Sequence, residues 1–358
     1  MVLTVGEKAT FDFCIPLLPA SLAKVSALLE STLSDHLKEV GADDKTTRRC
    51  LGHFERCLRY TVSGGKMTRG ATVPLTVASL DLESTVDSLQ TATAVGCCLE
   101  VLQAAFLVLD DVMDNSVLRR GKPCWHLCPG VGIANAVNDG LFLENAVFAA
   151  LRLLVPVDKR LGVLELVNET VMRTLVGQNL DVSTLGVDDF HPDRYKAIIR
   201  SKTSFYSFWL PIALGYHLSN VELSEHDLQI TRNACILLGE YFQIQDDFLD
   251  FSATPADLGK VGTDIEEGKC TWLAVEAFAR GSDEQRATLR ECFAMQERTR
   301  ADVQTVRGIY EAIGIRDIYH NLEQEMSLKV DLAIGAVSHT GLQHVLRLLY
   351  ARIHKRNK

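Results

Sequence analysis

Proline is scarce, with nine residues in a chain of 358, and alternating apolar–polar segments closed by turn dipeptides are scarce too. Both shortages argue against an all-β protein. A basic surplus is also missing. Thirty-seven lysines and arginines face 46 aspartates and glutamates, for a net charge of −9. That excludes a nucleic-acid binder working through a broad basic face. The N-terminal stretch has no basic segment followed by an apolar one, and its early residues include acids and no arginine. No secretory or transit signal is read there, and the expected location is the cytoplasm. The longest apolar run, "TATAVGCCLEVLQAAFLVL", contains Glu100 and Gln103 and ends in aspartates. It is too polar for a membrane span and suits a buried core helix. Ten cysteines in a chain this large do not make a small disulfide scaffold, so buried thiols are expected. "CWHLC" (Cys124, His126, Cys128) lacks the second ligand pair of a zinc site. The glycine and closing glutamate of a calcium-binding loop are absent as well.

What is present is apolar mass with helical spacing. Hydrophobic residues make up 47% of the chain and charged ones 23%, enough for a large core. Apolar residues recur every three or four positions in 25–40, 241–251 and 342–355, the pattern of amphipathic helices. The reading is an all-α fold, a single large bundle of about ten or more helices forming one domain over 1–358. Breaks fall at 63–70, 119–132, 182–194 and 251–264, none of them a long low-complexity linker.

Two clusters stand out against this background. "DDVMD" places Asp110, Asp111 and Asp114 at the end of an apolar run, and "DDFLD" repeats the pattern with Asp246, Asp247 and Asp250. The first and last aspartate of each share a helix face, and the second is turned about 100° away. Near a helix C-terminus carboxylates oppose the macrodipole, and i,i+4 like charges repel. A hard divalent cation with oxygen ligands would compensate. Mg²⁺ is held in this way, by one or two carboxylates plus substrate phosphates. Cations are dispersed along the chain: Lys66 and Arg69 in the glycine-rich "GGKMTRG", Arg119 and Arg120, Lys202 beside Thr203, then Lys260 and Lys269. Glycine lets backbone amides approach a phosphate, and the arginine fork matches its oxygens. Together these charges make sense if they converge on one cavity.

In order along the chain, "LQAAFLVLDDVMDNSVLRRGKPCW", "GQNLD", "SKTSFYSFWLPIA" and "GEYFQIQDDFLDFSATPADLGKVGTDIEEGKCTWL" resemble the trans-prenyltransferases, most closely the eukaryotic farnesyl diphosphate synthases. The likeness runs from about residue 10 to the basic tail "HKRNK". It implies the isoprenoid synthase fold, helices around a deep central cavity, usually as a homodimer. It implies condensation of an allylic diphosphate with isopentenyl diphosphate, using three Mg²⁺ ions. By position, Asp110, Asp114 and Asp246 would be direct metal ligands, with Asp111, Asp247 and Asp250 completing the shells. Lys66, Arg69, Gln103 and Arg120 would hold isopentenyl diphosphate. Arg119, Lys202 and Lys260 would hold the allylic diphosphate, supported by Asp181 and Lys269. Thr203, Gln243 and the Lys202 carbonyl would face the developing cation. No side-chain nucleophile is needed, and no Ser-His-Asp arrangement is apparent.

The chain departs from that family at a few positions. Ala105 and Phe106 stand where two bulky aromatics usually precede the first cluster. Ala105 leaves room under the growing chain unless neighbours fill it. Thr68, Ser201 and Asn357 also differ from the usual residues. The leading expectation is a farnesyl diphosphate (C15) synthase. Geranyl or geranylgeranyl diphosphate synthesis, a terpene-forming lyase on the same scaffold, and a non-catalytic partner subunit are the alternatives. A lyase would have no use for Lys66, Arg69, Gln103 and Arg120.

Overall fold

The computed structural model describes residues 9–183, 186–252, 262–295 and 297–354. Among these residues lie fourteen α-helices of eight residues or more, joined by short 3-10 turns and one two-stranded hairpin. They are α1 (Leu18–Glu39), α2 (Asp44–Val62), α3 (Thr68–Leu80), α4 (Val86–Met113), α5 (Gly132–Leu154), α6 (Val157–Val182), α7 (Pro192–Ile199), α8 (Leu210–Leu218), α9 (Glu225–Ser252), α10 (Trp272–Arg280), α11 (Asp283–Ala294), α12 (Arg300–Ala312), α13 (Ile315–Gly335) and α14 (Thr340–Ile353). The hairpin pairs β1 (Leu118–Arg119) with β2 (Lys122–Pro123). A π-helical segment, Arg200–Trp209, separates α7 from α8.

Several helices begin where side chains can satisfy their first amides. Asp43 accepts from Thr46 N at 2.7 Å and Thr85 from Ser88 N at 3.1 Å. Ser282 with Gln285 and Thr299 with Asp302 form capping boxes at α11 and α12. The π-helical segment ends just before Pro211, which has no N–H to continue the regular ladder. Such insertions of one residue per turn often mark functional positions.

The chain divides into two compact units. One takes the chain up to Asn168 together with Leu210–Glu222; the other takes Glu169–Trp209 and the chain from Leu223 onward. In the first, α4 is the central helix, packed by α1, α2, α3, α5 and α8. Its middle is buried on every side, from Ala92 to Leu102. By length and composition alone both Val86–Met113 and Phe11–Glu39 could cross a membrane; 72% of the apolar stretch of the former is buried inside the protein. That burial is what a core helix shows. The second unit is built around α9, which packs on the π-helical segment, α13 and α14. Phe190, Tyr195, Phe248, Trp272, Tyr310 and Tyr319 anchor its core. All ten cysteines are unbridged thiols, and nine of them are buried.

Candidate active site

In the first unit the site grows from the C-terminal end of α4. The helix stops at Met113, and Asp114 forms its C-cap. Asp110 and Asp111 point to different sides, as the helical geometry requires: their side chains are 18% and 4% exposed. Asp111 is committed to the protein. Its Oδ1 accepts from Arg119 Nε at 2.8 Å and Nη2 at 2.5 Å, while Asp110 lies 3.4 Å from the same guanidinium. Burial raises the Asp111 carboxyl above its ordinary range, and Arg119 pulls it back. Burial opposes charge on Arg119, but Asp111 and Asp110 outweigh it and hold the guanidinium charged.

Arg119 and Arg120 ride on the hairpin, which is tightly held. Tyr60 donates its hydroxyl to Pro123 O at 2.7 Å. Trp125 Nε1 donates to Asp139 Oδ2 at 2.8 Å, and both oxygens of that buried carboxylate lie 2.9 Å from His53 Nε2. Arg120 adopts a left-handed φ of 53°. Its Nη1 reaches the carbonyls of Thr61, Val62 and Ser63 at 3.3, 3.4 and 3.1 Å, which closes the C-terminal end of α2. The same guanidinium lies against Gly65, where a Cβ would meet Nη2 at 2.9 Å. A side chain at that point of the loop would displace the Arg120 guanidinium.

Arg69 and Gln103 also meet here. The Gln103 amide can satisfy both of its neighbours in one orientation only, with its oxygen accepting from Arg69 Nη1 at 2.7 Å and its nitrogen donating to Glu100 Oε2 at 3.2 Å. Glu100 is 4% exposed, and its Oε1 accepts from Gly70 N at 2.7 Å. Lys66 is exposed on the turn that leads into α3. Ala105 is 0% exposed, so its methyl reaches no water-sized space, while Phe106 is half-buried. The room that alanine could have left is filled by protein.

In the second unit the aspartates close α9. Asp246 is half-buried; Asp247 is buried and fully engaged. Its Oδ2 accepts from Tyr195 Oη at 2.7 Å and Trp272 N at 2.8 Å, and its Oδ1 from Gln243 Nε2 at 2.9 Å. Burial pushes this carboxyl up to about 7, against the pull of those donors. Asp250 Oδ2 accepts from Asp264 N at 3.2 Å. Thr203 Oγ1 donates to Gln243 Oε1 at 3.1 Å, so Thr203, Gln243, Asp247 and Tyr195 form one chain of hydrogen bonds. Lys202 Nζ sits 2.6 Å from Asp181, in the π-helical segment where Gly177 comes into backbone contact with Lys202. Lys269 pairs with Glu267 at 2.7 Å. Lys260 and the tail at 355–358 lie outside the described residues.

Asp111, Asp247 and Asp250 thus have oxygens accepting from protein donors, and Asp110 accepts from Arg119 at 3.4 Å. Asp110 and Asp114 at one helix end and Asp246 at the other offer hard oxygen at half-buried positions. Among the described residues no three His, Cys, Asp or Glu side chains gather as a metal site. One or two carboxylates at each helix end is the donor number Mg²⁺ takes when substrate phosphates and water supply the rest, so these residues fit that ion. The sequence reading missed Glu100, Tyr195 and the His53–Asp139–Trp125 clamp. Glu100 had a legible signal, an acid inside an apolar run.

The model of the polyprenyl synthetase family matches residues 52–313. The chain belongs to that family of prenyltransferases. It is 38% identical to the farnesyl pyrophosphate synthase of Bos taurus over 283 residues, covering 77% of this chain and 79% of that one. The farnesyl pyrophosphate synthase of Candida albicans is 35% identical over 339 residues, covering 91% and 95%. The farnesyl diphosphate synthase of T. brucei, in complex with a bisphosphonate, superposes with a TM-score of 0.85 at 31% identity, covering 95% of this chain and 99% of that one. The fold is accordingly the isoprenoid synthase fold.

Proposed function

We propose that this chain is a Mg²⁺-dependent prenyltransferase that elongates dimethylallyl and geranyl diphosphate with isopentenyl diphosphate to farnesyl diphosphate. The observation that carries the reading is the cradle in the first unit. Arg69, Gln103 and Glu100 are joined by hydrogen bonds, and Arg120 packs on the adjoining glycine turn. An enzyme that only ionised an allylic diphosphate would not need it. Lys66, Arg69, Gln103 and Arg120 bind isopentenyl diphosphate through charge-assisted hydrogen bonds. Arg119, Lys202, Lys260 and Lys269 neutralise the allylic diphosphate, and Asp181 pairs with the Lys202 ammonium and aims it.

Asp110, Asp114 and Asp246 would hold three Mg²⁺ ions together with the diphosphates. When bound, Mg²⁺ supplies Lewis-acid charge that stabilises the departing pyrophosphate. Asp111, Asp247 and Asp250 brace the ligand-bearing helix ends, and Asp111 also orients Arg119. Thr203 and Gln243 present oxygen toward the allylic cation, and their hydrogen bond fixes both dipoles beforehand. Apolar residues on α4 before Asp110 keep water from the cation.

The two units act as one domain, and the active form is a homodimer. Ile133, Val137 and Leu141 support this, since they recur every fourth residue of α5 and are 59%, 38% and 50% exposed. The unbridged thiols support a cytoplasmic location. The test is incubation with Mg²⁺, dimethylallyl diphosphate and isopentenyl diphosphate, followed by dephosphorylation. Farnesol is the expected product, lost with a chelator and restored by Mg²⁺. Geraniol or geranylgeraniol would change the chain length assigned. A hydrocarbon formed without isopentenyl units, or no product, would overturn the reading.

A further inference from the structure

Glu100 is an acid in the most deeply buried helix of the first unit, and it touches no position assigned above to a reacting atom. It is 4% exposed, and each of its oxygens has a donor. Oε1 takes Gly70 N–H, the third amide of α3. The N-cap of that helix is Met67, which has a left-handed φ of 51° and provides no side-chain cap. Glu100 therefore does from a neighbouring helix what a local cap would do, and its charge complements the helix N-terminus. The fit depends on small residues: a Cβ at Gly70 would meet Glu100 Cγ at 2.9 Å.

Oε2 takes an N–H of Gln103. An amide has one donor end and one acceptor end. Because a carboxylate can only accept, it forces the Gln103 nitrogen toward itself and the oxygen toward Arg69. The Arg69 guanidinium is thereby tied at one nitrogen, and Arg120 adds to the positive field at the same carboxylate. From this we infer that Glu100 is a positioning residue for the isopentenyl diphosphate subsite. It locks the orientation of the Gln103 amide and, through it, the aim of Arg69, while pinning the start of α3. The inference rests on the function proposed above and assigns to that subsite a residue that need not touch the substrate.

Glu100→Gln keeps the shape and the acceptor for Gly70, but it turns the second oxygen into a donor. Gln103 must then face two donors, or flip and present its own donors to Arg69. The test is a double-mutant cycle of Glu100→Gln and Gln103→Met, with KM measured separately for isopentenyl diphosphate and dimethylallyl diphosphate. Each single variant should raise KM for isopentenyl diphosphate about tenfold, the scale of one hydrogen bond to a charged group. KM for dimethylallyl diphosphate and kcat should stay within about twofold. The double variant should be no worse than the poorer single one, because both remove the same link.

Additive losses, an unchanged KM for isopentenyl diphosphate, or equal rises in both KM values would overturn the inference. If Glu100→Gln does not fold, Glu100→Asp takes its place, since the shorter side chain withdraws the carboxylate from Gln103 and should give the same selective loss. A wild-type protein that never incorporates isopentenyl units would sink the function reading and this inference with it. A working wild type with an unaffected Glu100→Gln would sink the inference only.

Discussion

The residues that matter most are those whose chemistry is opposed by their surroundings. Asp247 is a buried acid kept in place by a hydroxyl, a backbone amide and a side-chain amide. Tyr195→Phe removes one donor and leaves the carboxylate under-satisfied. It should cost about 1–3 kcal/mol in denaturant unfolding and reduce kcat, because Gln243 shares that carboxylate. Equal stability of the variant and the parent would show that water replaces the hydroxyl. Ala105 is the opposite case, a small residue with no spare volume around it. Ala105→Phe should destabilise the fold by about 1–3 kcal/mol through overpacking rather than simply shorten the product. Phe106→Ala, at the half-buried neighbour, is the substitution expected to lengthen it. The alcohols recovered from both variants, set beside their melting temperatures, separate the two effects.

Among the elements, the α3–α4 crossing decides where the cradle can form. A Cβ at Gly96 would fall 2.1 Å from Gly70 O, so the two helix backbones touch there. Gly96→Ala must push them apart, at about 3 kcal/mol or more, and it moves Gly70 away from Glu100. The expected outcome is a lower unfolding midpoint together with a raised KM for isopentenyl diphosphate; a stable variant with an unchanged KM would refute the close-contact argument. The π-helical segment plays the matching part in the second unit. It sets Lys202 beside Asp181 and Thr203 beside Gln243, a pairing an uninterrupted 3.6-residue spiral would not keep in register.

For the whole molecule the prediction concerns assembly. Leu141→Glu puts a charge into the exposed apolar stripe of α5. Light scattering of the parent should give twice the 39.6 kDa chain mass, and that of the variant should give one. A parent that already runs at one chain mass would refute the dimer. The fold class was legible beforehand, because helical periodicity and the shortage of proline are written along the chain. Of the stretches 25–40, 241–251 and 342–355, residues 25–39 fall within α1, 241–251 within α9 and 342–353 within α14. The break expected at 63–70 is shorter than read, since α3 already begins at Thr68; Gly70 satisfies its amide on Glu100, a partner 30 residues away.

The sequence by itself determined that carboxylates would end two helices and that the second aspartate of each cluster would turn aside, because both follow from spacing and a fixed helical pitch. It also determined which cations were available for phosphate. Only the tertiary structure decided which acids are committed to protein partners. Asp111 meets Arg119 through a hairpin turn, and Asp247 meets Tyr195 and Trp272 from segments 52 and 25 residues away. The same holds for Glu100, whose role depends on a glycine-to-glycine helix crossing. Burial and long-range hydrogen bonds are properties of packed neighbours, and no local pattern encodes them.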